Sequence, residues 1–477
     1  SRRASLRSPA SLVARPAQGL HQLRSVQLSF SKRKPDSTLC RDDPQMTDPQ
    51  MTDPQSPTAS ETAVVRRADA TRPAAVTQPA PSTSDWPPLE WESRDWQPRS
   101  THISNTARRR HAGPYDAAVT PAIAGLTPTI DPAVAAEADE AVAEIIRFDA
   151  ATGQRLLPFA SLLLRSESAA SSQIEQLTAS AKAIALAELD DGRRTGRNAT
   201  TIVSNVTAMN AALELADRLD TESILAMHTA LLEHDRPEWV GHWRDEQVWV
   251  GGHSQGPHGA LFVPPHHSRV AAAMDDLIAF ANRTDVAPLV HVAVAHAQFE
   301  TIHPFPDGNG RTGRALVHAM LRNRGITRSV TVPISAGLLV DTGAYFDALD
   351  DYRAGHIEPI VRQITDAGFA ALGNAQQMLD ELDAVRDDWN SRITARSDSS
   401  VWPLTRLLGE QPAVTSNLVA DRLGVSIPAA LNAIGRLEDA GILVKARGEE
   451  RNRAWVAVDV IAVLDRFADR GGRRNRI

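Results

Sequence analysis

From Pro132 onward, apolar residues recur at intervals of three and four, the spacing that places them on one face of an α-helix. The first such stretch is Ala-rich and opens at Asp131-Pro132, a capping side chain followed by proline at the first helical position; it predicts a helix to about Asp149. Similar patterns fill Ser161 to Leu189, Ala199 to Glu233 and, as an amphipathic helix, Leu289 to Thr301. Another begins at Ala315, where Leu316, Ala319, Met320 and Leu321 continue the apolar spacing. One β signal interrupts this rhythm. Glu246 to Gly251 alternates around Val248 and Val250, and Ala260 to Val263 follows a loop of Gly, His, Ser and Pro. Together they predict a hairpin that leans on the helices or serves a partner, since a lone hairpin is marginal in water.

Beyond Trp402 the pattern changes. Ser416 to Leu423 reads as a short helix, Gly424-Val425 as a turn, and Ser426-Ile-Pro428 opens a second helix to about Ala440 with Ser426 as its N-cap. Ile442 to Lys445 and Ala454 to Val458 then alternate on either side of a polar tip, Arg447 to Arg453. This order resembles a winged helix-turn-helix. Lys445, Arg447, Arg451 and Arg453 would meet phosphates if the module bound DNA. The second helix, however, offers only Asn432 and Arg436 among many alanines for base readout, so protein contact or a homodimer is the reading placed ahead of DNA.

The opposite end lacks periodicity. Ser1 to Arg33 is rich in Arg and Ser without acidic residues, superficially like a transit peptide. Met46 and Met51, inside a repeated Asp-Pro-Gln-Met-Thr run, instead read as candidate starts, with the basic leader an artefact of gene calling. Thr, Pro, Ala, Ser and Asp dominate from there to about Ser84, which predicts disorder. Order is expected from Trp86, with Trp86, Trp91 and Trp96 as core anchors. The expected division is a leader over 1–84, an N-terminal helical region over 85–198, a core over 199–370, a helical linker over 371–400, the C-terminal module over 401–470 and a basic tail over 471–477.

A length of 477 residues allows two or three domains, and 42% apolar with few aromatics fits a soluble, mostly helical protein. No window approaches the roughly 18 to 20 apolar residues of a membrane crossing. The net charge of −7 gives no general pull toward nucleic acid. Cys40 is the only cysteine, which excludes an intramolecular disulfide and a multi-cysteine metal site and favours a reducing cytoplasm.

The chemistry concentrates in His303-Pro-Phe-Pro-Asp-Gly-Asn-Gly-Arg-Thr-Gly-Arg314. Pro304 and Pro306 end the preceding helix, so the stretch reads as helix, loop, helix. Gly308 and Gly310 let backbone N–H groups converge at the second helix's N-terminus, where an anion is favoured. Arg311 and Arg314, three apart, share a face and present two guanidinium forks to one polyphosphate. Asp307 is an oxygen ligand suited to Mg2+, Asn309 a neutral donor and acceptor, and His303 the group able to take a proton near neutral pH.

This stretch resembles the Fic signature HxFx(D/E)GNGRxxR, matched at every defined position. The resemblance implies a mostly α fold, a Fic helical core with a β-hairpin flap, and His303 as general base. It further implies Asp307 as metal ligand, Gly308 to Gly310 as anion hole, and Arg311 to Arg314, with Thr312 and Gly313 between, as nucleotide-binding. The implied reaction is attack of a Ser, Thr or Tyr hydroxyl of a target protein on the α-phosphate of ATP. The kinase-like Doc relatives carry Lys where this chain has Gly310, which demotes phosphoryl transfer. Upstream, Ser171-Ser-Gln-Ile-Glu175-Gln176 resembles the family's inhibitory motif (S/T)xxxE(G/N), with Gln176 departing at the last position. It implies Ser171 and Glu175 as inhibitory residues, a brake in which the Glu175 carboxylate pairs with Arg314; the same Glu in some relatives helps remove AMP, so the reverse reaction stays open, as does a nucleotide-sensing regulator. Ala260, Leu261, Phe262 and Val263 correspond to the flap that holds the target segment. Ser335 to Tyr345, with Val340 and Tyr345, corresponds to the segment near the nucleotide base, although Tyr345 reads equally as a core aromatic.

Overall fold

The computed structural model describes residues 86–98, 106, 109, 111–155, 159–189, 196–252, 255–447 and 453–472. The expected leader, Cys40, Arg451 and most of the basic tail lie outside these residues. In chain order the elements begin with β1 (Glu90–Trp96), β2 (Gly113–Val119), α1 (Pro132–Arg155), α2 (Ala160–Ile174), α3 (Ala181–Ala187), α4 (Arg197–Glu214) and α5 (Thr221–Leu232). The central elements are α6 (His267–Ala281), α7 (Pro288–Ile302), α8 (Asn309–Asn323), α9 (Ile334–Leu338), α10 (Thr342–Arg353) and α11 (Glu358–Arg392). The chain closes with α12 (Val401–Glu410), β3 (Ala413–Thr415), α13 (Ser416–Leu423), α14 (Ile427–Asp439), β4 (Leu443–Arg447), β5 (Ala454–Ala457) and α15 (Val458–Gly472). The fold is mostly helical, as expected, and no described helix is long and apolar enough to cross a membrane.

Caps set the helix starts where the sequence carries them. The Asp131 carboxylate accepts from Ala133 N at 2.8 Å, and the Ser426 hydroxyl accepts from Ala429 N. Gly424, in the left-handed region at φ 64°, ends α13 at Leu423. The centre of the molecule is α7: every residue from Leu289 to Ile302 is buried, and α1, α6, α8, α10 and α11 pack around it. The amphipathic expectation for this helix is therefore corrected. It has no solvent face because other helices cover it on all sides.

Other expectations also change. The helical pattern over Ser161 to Leu189 is divided into α2 and α3, with Gln176 turning left-handed at φ 62° between them, and that over Ala199 to Glu233 into α4 and α5. An unforeseen antiparallel pair, β1 with β2, runs from Glu90 opposite Val119 to Trp96 opposite Gly113. Trp86 is buried edge-on to Phe280 and Trp96 packs against Trp249 and Tyr115, but Trp91 is 55% exposed and is no core anchor. The expected flap hairpin is one antiparallel bridge, Val250 with Phe262, because Gly251, Gly252, Pro264 and Pro265 leave no room for a longer ladder. It leans on β2, whose Ala118 N donates to Val263 O at 3.0 Å.

The C-terminal elements place helices α12 to α15 around an antiparallel sheet of order β3-β5-β4. They are not detached. α11 crosses the boundary drawn at 370/371, and α15 packs along it and against α2. Asn374 Nδ2 donates to Phe467 O, and Trp389 Nε1 to Asp459 at 2.8 Å.

Candidate active site

Helix α7 must end where it does, because Pro304 has no amide to continue it. His303 takes the left-handed conformation there, φ 52° and ψ 62°, and the chain turns back at Gly308 (φ 79°) into α8. A Cβ at Gly308 would come within 2.9 Å of Leu231, so both backbone angle and space call for glycine. Asn309 braces the loop from inside: its Oδ1 accepts from Phe305 N at 2.8 Å and its Nδ2 donates to Phe305 O at 2.9 Å. Both polar functions of Asn309 are thereby used within the loop. The first amides of α8 have no carbonyl one turn back, and Asn309 and Gly310, which carry two of them, line the cleft.

One cleft contains His303, Asp307, Gly308, Asn309, Gly310, Arg314 and Tyr345, together with Glu175 from the end of α2 and Leu261 and Phe262 from the flap. Burial pushes the His303 imidazole down to about 4, outweighing the opposing contact of Nδ1 with Glu300 O at 3.3 Å. Part of the ring meets the cleft, and the imidazole is neutral at physiological pH and able to accept a proton.

Glu175 bridges both arginines. Its Oε1 accepts from Arg314 Nη2 at 2.8 Å and its Oε2 from Arg311 Nε at 3.0 Å. Arg314 also donates to the hydroxyl and carbonyl oxygens of Ser171, each at 2.8 Å. Burial works against the Arg314 charge, yet Glu175 beside it holds its pKa above the usual arginine value. A Cβ at Gly310 would fall 2.3 Å from Glu175 Oε1, so glycine is needed for this carboxylate to enter.

Thr312 and Gly313 lie within α8 and outside the cleft lining, with Gly313 closing on Phe299 and Glu300. Val340 sits on a short 3-10 turn, Leu339–Asp341, also away from the lining. Tyr345 is 1% exposed and its hydroxyl lies 2.8 Å from His296 Nε2, so its packing is mainly that of a core aromatic. Its neighbour Phe346, 50% exposed, lines the cleft with Leu349 and Arg353, and the Arg353 guanidinium stacks 3.7 Å over Phe262 of the flap.

Three supporting residues carry no local sequence signal. Arg244, 2% exposed, donates through Nε to His303 O at 2.8 Å and through Nη2 to Pro265 O at 2.5 Å, tying the end of α7 to the flap. His228 stacks on Phe305 with ring centres 3.6 Å apart and places Nε2 3.0 Å from Asp307 O. Glu300 lines the cleft with an unpartnered buried Oε1, and burial raises its pKa to about 7.

No group of three or more potential metal ligands occurs among the described residues. Asp307 does fit a Mg2+ ion carried by a polyphosphate: its exposed carboxylate stands at the cleft edge, and such ions use one or two carboxylates plus phosphate oxygens. Its Oδ1 accepts from Gly308 N at 2.6 Å and from Arg311 at 3.3 Å.

Residues 218–321, which include this loop, match the model of the Fic/DOC family. The chain carries a Fic/DOC family domain. Over 161 residues it is 32% identical to the protein adenylyltransferase Fic of Drosophila willistoni and, over the same length, to that of Drosophila melanogaster. The matched part is 33% of this chain and 29% and 30% of those relatives, so the Fic domain shares less than a third of their length. Similar solved structures include a Fic family protein from Desulfovibrio desulfuricans G20 (TM-score 0.44, 23% identity, 71% of this chain and 98% of that one). Another is Fic-1 (aa134 - 508) from C. elegans (TM-score 0.39, 21% identity, 52% of this chain and 73% of that one).

Proposed function

We propose that this protein transfers AMP from ATP to a Ser, Thr or Tyr hydroxyl of a target protein, and that its own Glu175 restrains the site. The observation that carries the reading is the contact of Glu175 with both Arg311 and Arg314 at the start of the helix following His303. A carboxylate from a distant part of the chain fills a place built for an anion, in the cleft that also holds a neutral histidine. The Drosophila relatives' name, protein adenylyltransferase, supplies the reaction class.

In this reading His303 takes the hydroxyl proton as the oxygen bonds to the α-phosphorus; the bond from that phosphorus to the bridging oxygen breaks and pyrophosphate leaves. The amides of Gly308 to Gly310 hold the α-phosphate, and Arg314 holds the outer phosphates once Glu175 has left it. Asp307 would hold Mg2+, which when bound offsets phosphate charge. Phe346, Leu349 and Arg353 form the end for the base, and the flap at Ala260 to Val263, with Leu261 87% exposed, receives the target segment.

A second reading, removal of AMP, draws on the same carboxylate, which would orient a water beside the anion site. For the C-terminal module, Arg436 donates to Thr394 O within the chain and Ile427 is 39% exposed at the start of α14, which supports a winged helix used for protein contact ahead of DNA. The deciding experiment follows label from α-labelled ATP with Mg2+ onto protein in a lysate. Labelling is expected only after Glu175→Gly and is expected to vanish when His303→Ala is added. Equal labelling in the unmodified chain would remove the brake; no labelling with ATP bound, but AMP released from a modified target, would select the reverse reaction.

A further inference from the structure

Helices α2 and α8 meet along a stripe longer than the contact just described. Glu167, Ser171 and Glu175 follow at steps of four and share one face of α2 through its C-terminal cap; Arg311, Arg314 and His318 follow at steps of three and four on α8. They pair in antiparallel order: Glu175 with Arg311 and Arg314, Ser171 with Arg314, and Glu167 with His318. The last rung is the most enclosed. Glu167 is 0% exposed, its Oε1 lies 2.8 Å from His318 Nε2 and accepts from Ser335 Oγ at 2.5 Å, and its Oε2 accepts from Ser335 N at 2.8 Å.

We propose that Glu167, with His318 and Ser335, forms a register lock that positions Glu175 on the arginines; this rests on the reading of Glu175 as a restraint. The physical reason is selectivity. A slip of α2 by one residue moves each side chain about 1.5 Å along the axis and about 100° around it. Glu167 would then be a buried carboxylate stripped of partners, a far larger penalty than the slip of an apolar contact. The lock therefore admits one register, the one in which Glu175, two turns further on, lands on Arg311 and Arg314. From the other flank, Asn205 donates to Ser168 O at 2.9 Å and Ser172 Oγ at 3.3 Å, leaving rotation of α2 little freedom.

The test uses the full chain as wild type, Glu167→Gln, Glu175→Gly and the double variant. Backbone hydrogen exchange is read over residues 168–177, and affinity for ATP with Mg2+ by calorimetry. Glu167→Gln is expected to speed exchange over that segment while α7 stays protected, and to tighten ATP about fivefold or more. On the Glu175→Gly background it is expected to add nothing to affinity. Unchanged exchange, or a loss of affinity by the same factor in both backgrounds, would overturn the lock and leave Glu167 a packing residue. Faster exchange with no effect of either single variant on ATP would keep the lock and overturn the restraint.

Discussion

Glu300 and His303 stand one helical turn apart at the end of α7, and burial moves their pKa values in opposite directions and past each other, Glu300 up to about 7 and His303 down to about 4. At neutral pH His303 is thus uncharged, and Glu300 holds its proton up to about pH 7. For Glu300 the raised pKa means that, between its ordinary value of 4.5 and about 7, the folded chain binds the proton and the unfolded chain does not. Its contribution is therefore most favourable below pH 4.5 and is lost as the pH rises through 7, on the order of 3 kcal/mol in all. Glu300→Gln keeps the neutral shape without the ionisation. Its stability relative to wild type should be near zero at pH 4.5 and favourable by about 2 to 3 kcal/mol at pH 8.5, read by denaturant titration at both pH values. A difference independent of pH would mean that Glu300 is not neutral in the fold. The Glu300 role had no sequence signal, because its environment is assembled from Arg314, Glu175 and Arg353 on three separate elements. His303 was legible because its loop partners, Asp307 to Arg314, lie in one short run.

At the scale of elements, the sequence was readable where ends are chemically marked and opaque where they are not. Asp131, Ser426 and Gly424 mark their boundaries, whereas α2 stops at Ile174 with neither Gly nor Pro nearby. Gln176 makes that turn in the left-handed region, where a side chain with a Cβ is strained by roughly 1 to 2 kcal/mol. Gly or Asn, which end the motif (S/T)xxxE(G/N) that this stretch resembles, would adopt that conformation more readily. β1 was missed because it is a two-stranded pair with one wet face, in which Trp91 faces solvent. Gln176→Asn isolates the strain without glycine's loss of unfolded-state order. It should stabilise the fold by about 0.5 to 1 kcal/mol in denaturant titration and, by favouring the turn that presents Glu175, weaken ATP binding. Tighter ATP binding would mean that the strained turn favours the restrained state.

For the whole molecule, the division into core, linker and C-terminal module was expected from the change of pattern after Trp402 and from resemblance, and contacts cross its boundaries. Arg165 of α2 donates to Glu188 at 2.6 Å and to Gln411 at 2.8 Å, and also to Glu410 O at the end of α12. Arg466 and Arg470 of α15 both pair with Glu381 on α11, and Gly409 lies against Phe159 at the start of α2. One apolar core extends from Trp86 through α7 to Phe467. The helix bearing Glu175 is thus held on one side by the cleft and on another by the C-terminal module, a placement no periodicity reveals because it joins residues more than two hundred positions apart. Cooperativity follows from such shared burial, since neither part can expose its face without stripping the other. A calorimetric scan of the full chain should show one endotherm. A chain ending at Ser400 should melt at least about 5 °C lower, having lost the cover over Trp389, Leu382 and α2. Two separate endotherms, or a truncated chain as stable as the whole, would mean that the module folds by itself and that α2 does not depend on it.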